Sequence, residues 1–153
     1  MSLTQDLAQF RTKLNTAVDF AMENYVGAAA VLKVADAVET EVYAKYPEPE
    51  YPLSYVRRHD KGGLSDISPD NIVQDYDPVA KTLTVTDMNR DNYTGRLVAP
   101  VVESGEGYYY NFPFNHKPRE FHSVAEKNMI TSGAFEEALE FGLTAQGFKV
   151  KRI

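Results

Sequence analysis

The chain has 153 residues and a formal net charge of −6, which suits one domain with a real core and argues against a protein that wraps nucleic acid, since neutralising phosphates needs a basic face. It has no cysteine, which excludes disulfides, thiolate chemistry and cysteine–metal sites. No apolar run approaches a membrane span and no signal-peptide pattern opens the chain, so the expectation is a soluble protein with no membrane partner.

Thr4 to Tyr46 contains no proline and one glycine, Gly27. Small or apolar residues fall at Leu7, Leu14, Ala21, Ala28, Ala35 and Val42, with a second row at Leu3, Phe10, Ala17, Val31 and Val38, broken by Asn24. That periodicity predicts a helix, with Thr4 as its cap and Asp6 in its first turn. Such a helix would span roughly 60 Å, whereas a compact chain of this size is about 35–40 Å across. It therefore either bends near Gly27 or projects, its uncovered end meeting a neighbour. The alanine-rich waist Gly27–Ala30 is expected to take the final helix. Pro47, Pro49 and Pro52 end the helix.

Tyr51 to Asn71 reads as a long surface loop with a basic cluster, Arg57-Arg58-His59-Asp60-Lys61, then Gly62-Gly63-Leu64; a loop of that length is functional or disordered. Ile72–Tyr76 and Thr82–Thr86 read as a β-hairpin around the turn Asp77–Lys81. Asp87 to Gly95 is turn-like, and Leu97–Glu103 reads as a third strand in which Pro100 marks an edge or bulge. A second loop starts at Ser104-Gly105-Glu106-Gly107 and carries Tyr108 to Phe114. The Ser123…Glu126 capping box predicts a helix start, Gly133 an interruption, and Ala134–Gln146 a last helix stopped by Gly147. The fold class is α+β: a long N-terminal helix and a C-terminal helix packed on a small antiparallel sheet, with two long loops, in one domain over 1–153.

No active-site signature emerges. His59, His116 and His122 have no metal-ligand spacing. Asp87-Met88-Asn89-Arg90-Asp91 copies the start of a calcium loop, but Asn92 stands where glycine is needed and Val98 where glutamate is needed, which favours an Asn/Asp-rich turn. Asp66, Asp70, Asp75 and Asp77 read as solvated acidic surface rather than a cation site. Ser104-Gly105 and Ser132-Gly133 lack a nucleophile turn, and no phosphate-cradling glycine motif is complete. The expectation is no catalytic, cofactor or metal residue. Loops rich in tyrosine and arginine on a rigid scaffold suit contacts between proteins.

The loop residues carry a resemblance. Val42-Tyr43, Tyr46-Pro47, Tyr55-Val56-Arg57-Arg58, Gly62-Gly63-Leu64, Asp66 and Asn71-Ile72 resemble the central signature of the head–tail joining, tail-completion or "minor capsid" proteins of long-tailed double-stranded-DNA phages and prophages. Val102-Glu103-Ser104-Gly105, Pro118-Arg119-Glu120-Phe121 (with Glu120 where the family has proline) and Leu143–Phe148 are similar to its later blocks. The resemblance implies a non-enzymatic virion subunit, assembled in the host bacterial cytoplasm. It would form a homo-oligomeric ring at the head–tail junction, against neighbouring connector or tail proteins. DNA would pass through the channel without sequence-specific binding. On this reading the subunit contacts come from Tyr55, Arg57, Arg58, Gly62, Gly63, Leu64, Tyr108, Tyr110, Phe112, Arg119 and Phe121, with Arg57 and Arg58 either pairing with a neighbour's carboxylates or pinning their own loop to Asp66 or Asp70. Two other classes stay open: a non-phage adaptor binding a protein through the same loops, and a small metal-dependent hydrolase using the aspartates with His59 or His122.

Overall fold

A computed structural model of the chain describes residues 2–45, 58–108 and 114–151. The first 40 or so residues form one continuous helix in four segments: α1 (Leu3–Ala21), a π turn (Met22–Val26), α2 (Gly27–Ala37) and a second π stretch (Val38–Tyr43). The backbone stays right-handed helical through Met22, Gly27, Val38 and Ala44, so the segments do not part. The cap is Ser2, two residues ahead of Thr4, and its N–H donates to Gln5 Oε1 at 3.1 Å.

The π turns explain which residues face inward. The buried positions run Ala17, Ala21, Val26, Gly27, Val34, Ala37, Val38 and Val42. The steps from Ala21 to Val26 and from Ala37 to Val42 are five residues, each crossing a π segment that adds one residue to the turn. A strict heptad misses this shift, and Ala28, which it places inside, is exposed. The irregularity lies just ahead of Gly27 rather than at it. There Gln74 Nε2, from the sheet, donates to the Glu23 carbonyl at 2.9 Å.

The sheet is a two-stranded antiparallel hairpin, β1 (Ile72–Asp77) and β2 (Thr82–Asp87), in register from Ile72↔Asp87 to Asp77↔Thr82. Its turn is set by Asp77, whose Oδ1 accepts the Val79 and Ala80 N–H groups at 2.8 and 3.0 Å. The hairpin is tied to α1 through Asp19, whose carboxylate receives the Tyr76 hydroxyl at 2.8 Å and Lys81 Nζ at 2.5 Å. Lys81 holds the Asp19 carboxyl below its ordinary range. Burial, with Asp19 beside it, pushes the Tyr76 phenol up to about 12.

Leu97–Glu103 is not a third strand. Among the described residues one bridge, Arg90↔Leu97, is all that pairs, and the chain then turns into α3 (Ala99–Ser104). Proline near a helix start loses no hydrogen bond and has its φ preset, and Gly105, at φ 71°, closes the other end with its N–H on the Val101 carbonyl. A short apolar run does not by itself separate strand from helix. Here Ala99 and Val102, three apart, both enter the core.

α4 (Phe121–Thr131) and α5 (Ala134–Ala145) complete the fold. α4 begins two residues before Ser123, and the predicted capping box is not what starts it. Ser123 Oγ donates to the Glu120 carbonyl, while Glu103 of α3 accepts the His122 N–H at 2.7 Å. A carboxylate there also suits the positive end of the helix dipole. α5 packs chiefly on α1 and the first π turn, and α2 takes chiefly α4 and β1. The final helix comes close at Ala21, opposite Gly142, and Ala29 and Ala30 of the waist also pack with Ala134, Phe135 and Leu139 of α5 in a second cluster around Val26, Met129 and Ala138. The main core joins Val34, Ala37, Val38 and Val42 to Leu64, Ile72, Ala99, Val102, Phe121 and Ala125. Among the described residues, no helix is long and apolar enough to cross a membrane.

Candidate interface surface

The resemblance assigned contacts to two loops, and the structure divides those residues. Tyr55, Arg57, Tyr110 and Phe112 lie outside the described residues. Leu64 and Phe121 are core residues, 4% and 0% exposed, so each packs within its own chain and the loops' exposed surface comes from other residues.

The Gly62-Gly63-Leu64 block is built for closure of its own loop. Gly62 sits at φ 79°, a conformation that costs other residues energy, and gives its N–H to Asp66 Oδ2 at 2.6 Å. Gly63 is buried with the His59 backbone against it; an added Cβ would stand 2.4 Å from the His59 carbonyl oxygen. The Leu64 N–H donates to the Tyr43 hydroxyl at 3.1 Å, which ties the loop to the end of the long helix.

Behind this loop lies a buried polar network that sequence reasoning missed. Asn71 Nδ2 donates to the Gly63 and Asp66 carbonyls, both at 2.8 Å. Asn89 Nδ2 donates to the Gly62 carbonyl at 2.6 Å and to Asn71 Oδ1 at 3.1 Å. Asp87, 2% exposed, accepts the Asn89 N–H through Oδ1 at 2.8 Å, while its Oδ2 has no partner among the described residues. Burial pushes the Asp87 carboxyl up to about 6. The one available signal was the density of Asp and Asn after β2, which reads correctly as a turn: Asp91 accepts the Tyr93 and Thr94 N–H groups at 3.1 and 3.0 Å.

Arg58 reaches into the same region. Its Nη2 donates to Asn89 Oδ1 and the Arg90 carbonyl, each at 3.3 Å. It pins its own loop, through amide and backbone oxygens and not through Asp66 or Asp70. Arg119, 6% exposed, gives its backbone N–H to the Val102 carbonyl at 3.1 Å. Its guanidinium carbon lies 5.1 Å from the Phe114 ring centroid and its Nη2 bonds the Tyr108 hydroxyl. Arg119 is thus a structural pin for the second loop, and Tyr108 is half-buried beside it.

Each histidine stands beside a glutamate: His59 Nδ1 is 3.4 Å from Glu39, His116 Nδ1 is 2.7 Å from Glu106, and His122 Nδ1 is 2.9 Å from Glu103. Among the described residues, no three His, Cys, Asp or Glu side chains gather as a metal site would require.

The surface that does stand out lies on α1. Leu3, Leu7 and Phe10 are 76%, 60% and 55% exposed. With Leu14 they continue the same helix face that buries Ala17 and Ala21 under α5. The cover stops near Phe148, whose ring meets Phe10 edge-on at a centroid distance of 6.3 Å. Beside it is a shallow depression between Thr12, Thr16 and Ala17 of α1 and Gln146–Phe148.

A protein-family model, YomN, matches residues 6–145, from the first turn of α1 to the last residue of α5. The chain belongs to the YomN family. By its name this is a Bacillus phage- or prophage-associated family, so membership suggests a phage-derived protein. Searches of curated proteins and of solved structures each returned no match. The YomN match covers both loop anchors and the buried network, so these belong to the family's region of the chain.

Proposed function

We propose that this YomN-family chain is a non-enzymatic structural subunit of a phage or prophage particle, acting at the head–tail junction as part of a ring. Three things support this reading. The family is phage-associated. The loop signature resembles head–tail joining proteins. The observation that carries it is the apolar end of α1, where Leu3, Leu7 and Phe10 stand largely in solvent. Leaving such a stripe open costs a free monomer the burial it could gain, about 1.5–3 kcal/mol for each large side chain fully covered, and contiguous exposed apolar surface marks association sites.

Subunit contacts in a ring are heterologous, one face meeting a different face of the next copy. With Leu64 and Phe121 inside, the loop contribution falls to exposed parts of the Arg58–Asn71 and Ser104–Phe121 segments. The partners on this reading are further copies of the chain and the adjoining connector or tail proteins, and the location is the virion. Family membership favours this over a non-phage adaptor.

The test is genetic. Disrupting the gene in a phage or prophage that carries it should leave filled heads and separate tails in electron micrographs, and supplying the chain in trans should rejoin them. Normal joined, infectious particles without it would overturn the assignment.

A further inference from the structure

The uncovered end of α1 has an internal symmetry. Leu3, Leu7, Phe10 and Leu14 are spaced four, three and four residues apart, a palindromic pattern. Over uninterrupted α-helix these four lie on one face, and the stretch lies within α1, before any π turn. A second copy of the same stretch, laid antiparallel, sets Leu3 against Leu14 and Leu7 against Phe10, with no layer mismatched.

Charges on the rim follow the same symmetry. Asp6 and Lys13 are seven residues apart, hence on nearly the same flank of the stripe. In an antiparallel pair related by a two-fold axis, that flank meets itself. Asp6 of each copy then lies beside Lys13 of the other, and two opposite-charge contacts form from one pair of residues. Asp6 and Lys13 are both exposed, and among the described residues neither takes part in an ion pair.

Orientation follows from what already covers the face. Beyond Leu14 it is occupied by α5, with Gly142 against Ala21, while Phe148, past the end of α5, meets Phe10 edge-on and leaves it 55% exposed. A parallel partner would bring its own α5 to the same end and compete for the same space. An antiparallel partner brings its own α5 to the opposite end, beside Leu3, and avoids that competition.

We infer that the face Leu3–Leu7–Phe10–Leu14 pairs antiparallel with the same face of a second copy of this chain, with Asp6 and Lys13 across the two-fold. Such a contact is isologous and closes at two copies. It uses the same exposed α1 end that supports the assembly reading, so the heterologous contacts of a ring fall to the loop segments.

Sedimentation equilibrium of the full chain over a concentration series tests this. The expected result is a shift from 17.2 kDa to twice that mass. Leu7→Glu should raise the dissociation constant more than about tenfold, since it puts a carboxylate into each of two apolar layers; Leu7 is exposed, so far-UV circular dichroism should be unchanged. Lys13→Asp and Asp6→Lys should each weaken pairing, and an equimolar mixture of those two variants should restore it as a heterodimer. A monomer at every concentration, or association indifferent to Leu7→Glu, overturns the inference. So does a dimer indifferent to Lys13→Asp, which would be paired in another register or direction. A chain that forms closed rings but no two-fold pair would overturn the pair and leave the ring reading standing; a dimer behaving as described, with particles joining normally when the gene is disrupted, would do the reverse.

Discussion

Gly142 of α5 lies so near Ala21 of α1 that an added Cβ would stand 2.4 Å from the Ala21 Cβ and 2.6 Å from its Cα. The two helices meet through the absence of a side chain. Gly142→Ala should destabilise the protein by about 1–2 kcal/mol, because overpacking of about 1–3 kcal/mol exceeds the gain of up to about 1 kcal/mol in helix propensity. Gly27→Ala is the contrast. There the clash is with the Gln74 side-chain amide, which swings aside at the loss of its bond to Glu23, and the change should be within about 0.5 kcal/mol of neutral. Urea unfolding of both variants checks the pair.

Asp87 should make stability fall as pH rises through the weakly acidic range. Its carboxyl is raised from 3.8 to about 6 by burial. Between those values the folded state binds more proton than the unfolded one, so stability declines with rising pH, and the penalty is complete above about 6. The shift corresponds to at most about 3 kcal/mol. Asp87→Asn keeps an acceptor for the Asn89 N–H and removes the titration, so its stability measured at pH 4.5 and at pH 7.5 should differ less than in the parent. Identical slopes in parent and variant would contradict the assignment.

Asn71→Ala should loosen the glycine loop. It removes two donations, to Gly63 and Asp66, and the acceptor for Asn89. Losing buried partners costs about 1–3 kcal/mol. The local effect should exceed the global one: amide exchange at Gly62 through Ser68 should accelerate more than exchange in α5.

Phe121→Ala and Leu64→Ala should behave as core deletions and not as interface lesions. Phe121 is fully covered and Leu64 nearly so. The expected losses are about 3–5 and about 2–5 kcal/mol, read as lower thermal midpoints of the isolated chain. A variant of either that keeps the parental midpoint would return that residue to the list of possible contacts.

Much of the fold was legible locally. The long helix, read over Thr4–Tyr46, the hairpin with its Asp77 turn, the break near Gly133 and the stop at Gly147 follow from periodicity, turn chemistry and caps, which act over a few residues. The exposed stripe was also visible as a pattern, Leu3 to Leu14. Which part of it is covered was not, since that depends on where α5 ends in space.

The sequence by itself determined an α+β chain with a helix too long for its body and a loop signature of a phage family. Only the tertiary structure decided three further matters. The π turns rotate the buried face by one residue at each step, which a heptad count does not register. Leu97 to Ser104 becomes a helix because Ala99 and Val102 must both reach the core, a long-range demand that an apolar run does not reveal. And Leu64, Arg119 and Phe121 turn inward, with Asp87 beneath the first loop, because burial is set by what lies opposite a side chain, not by its neighbours in the chain.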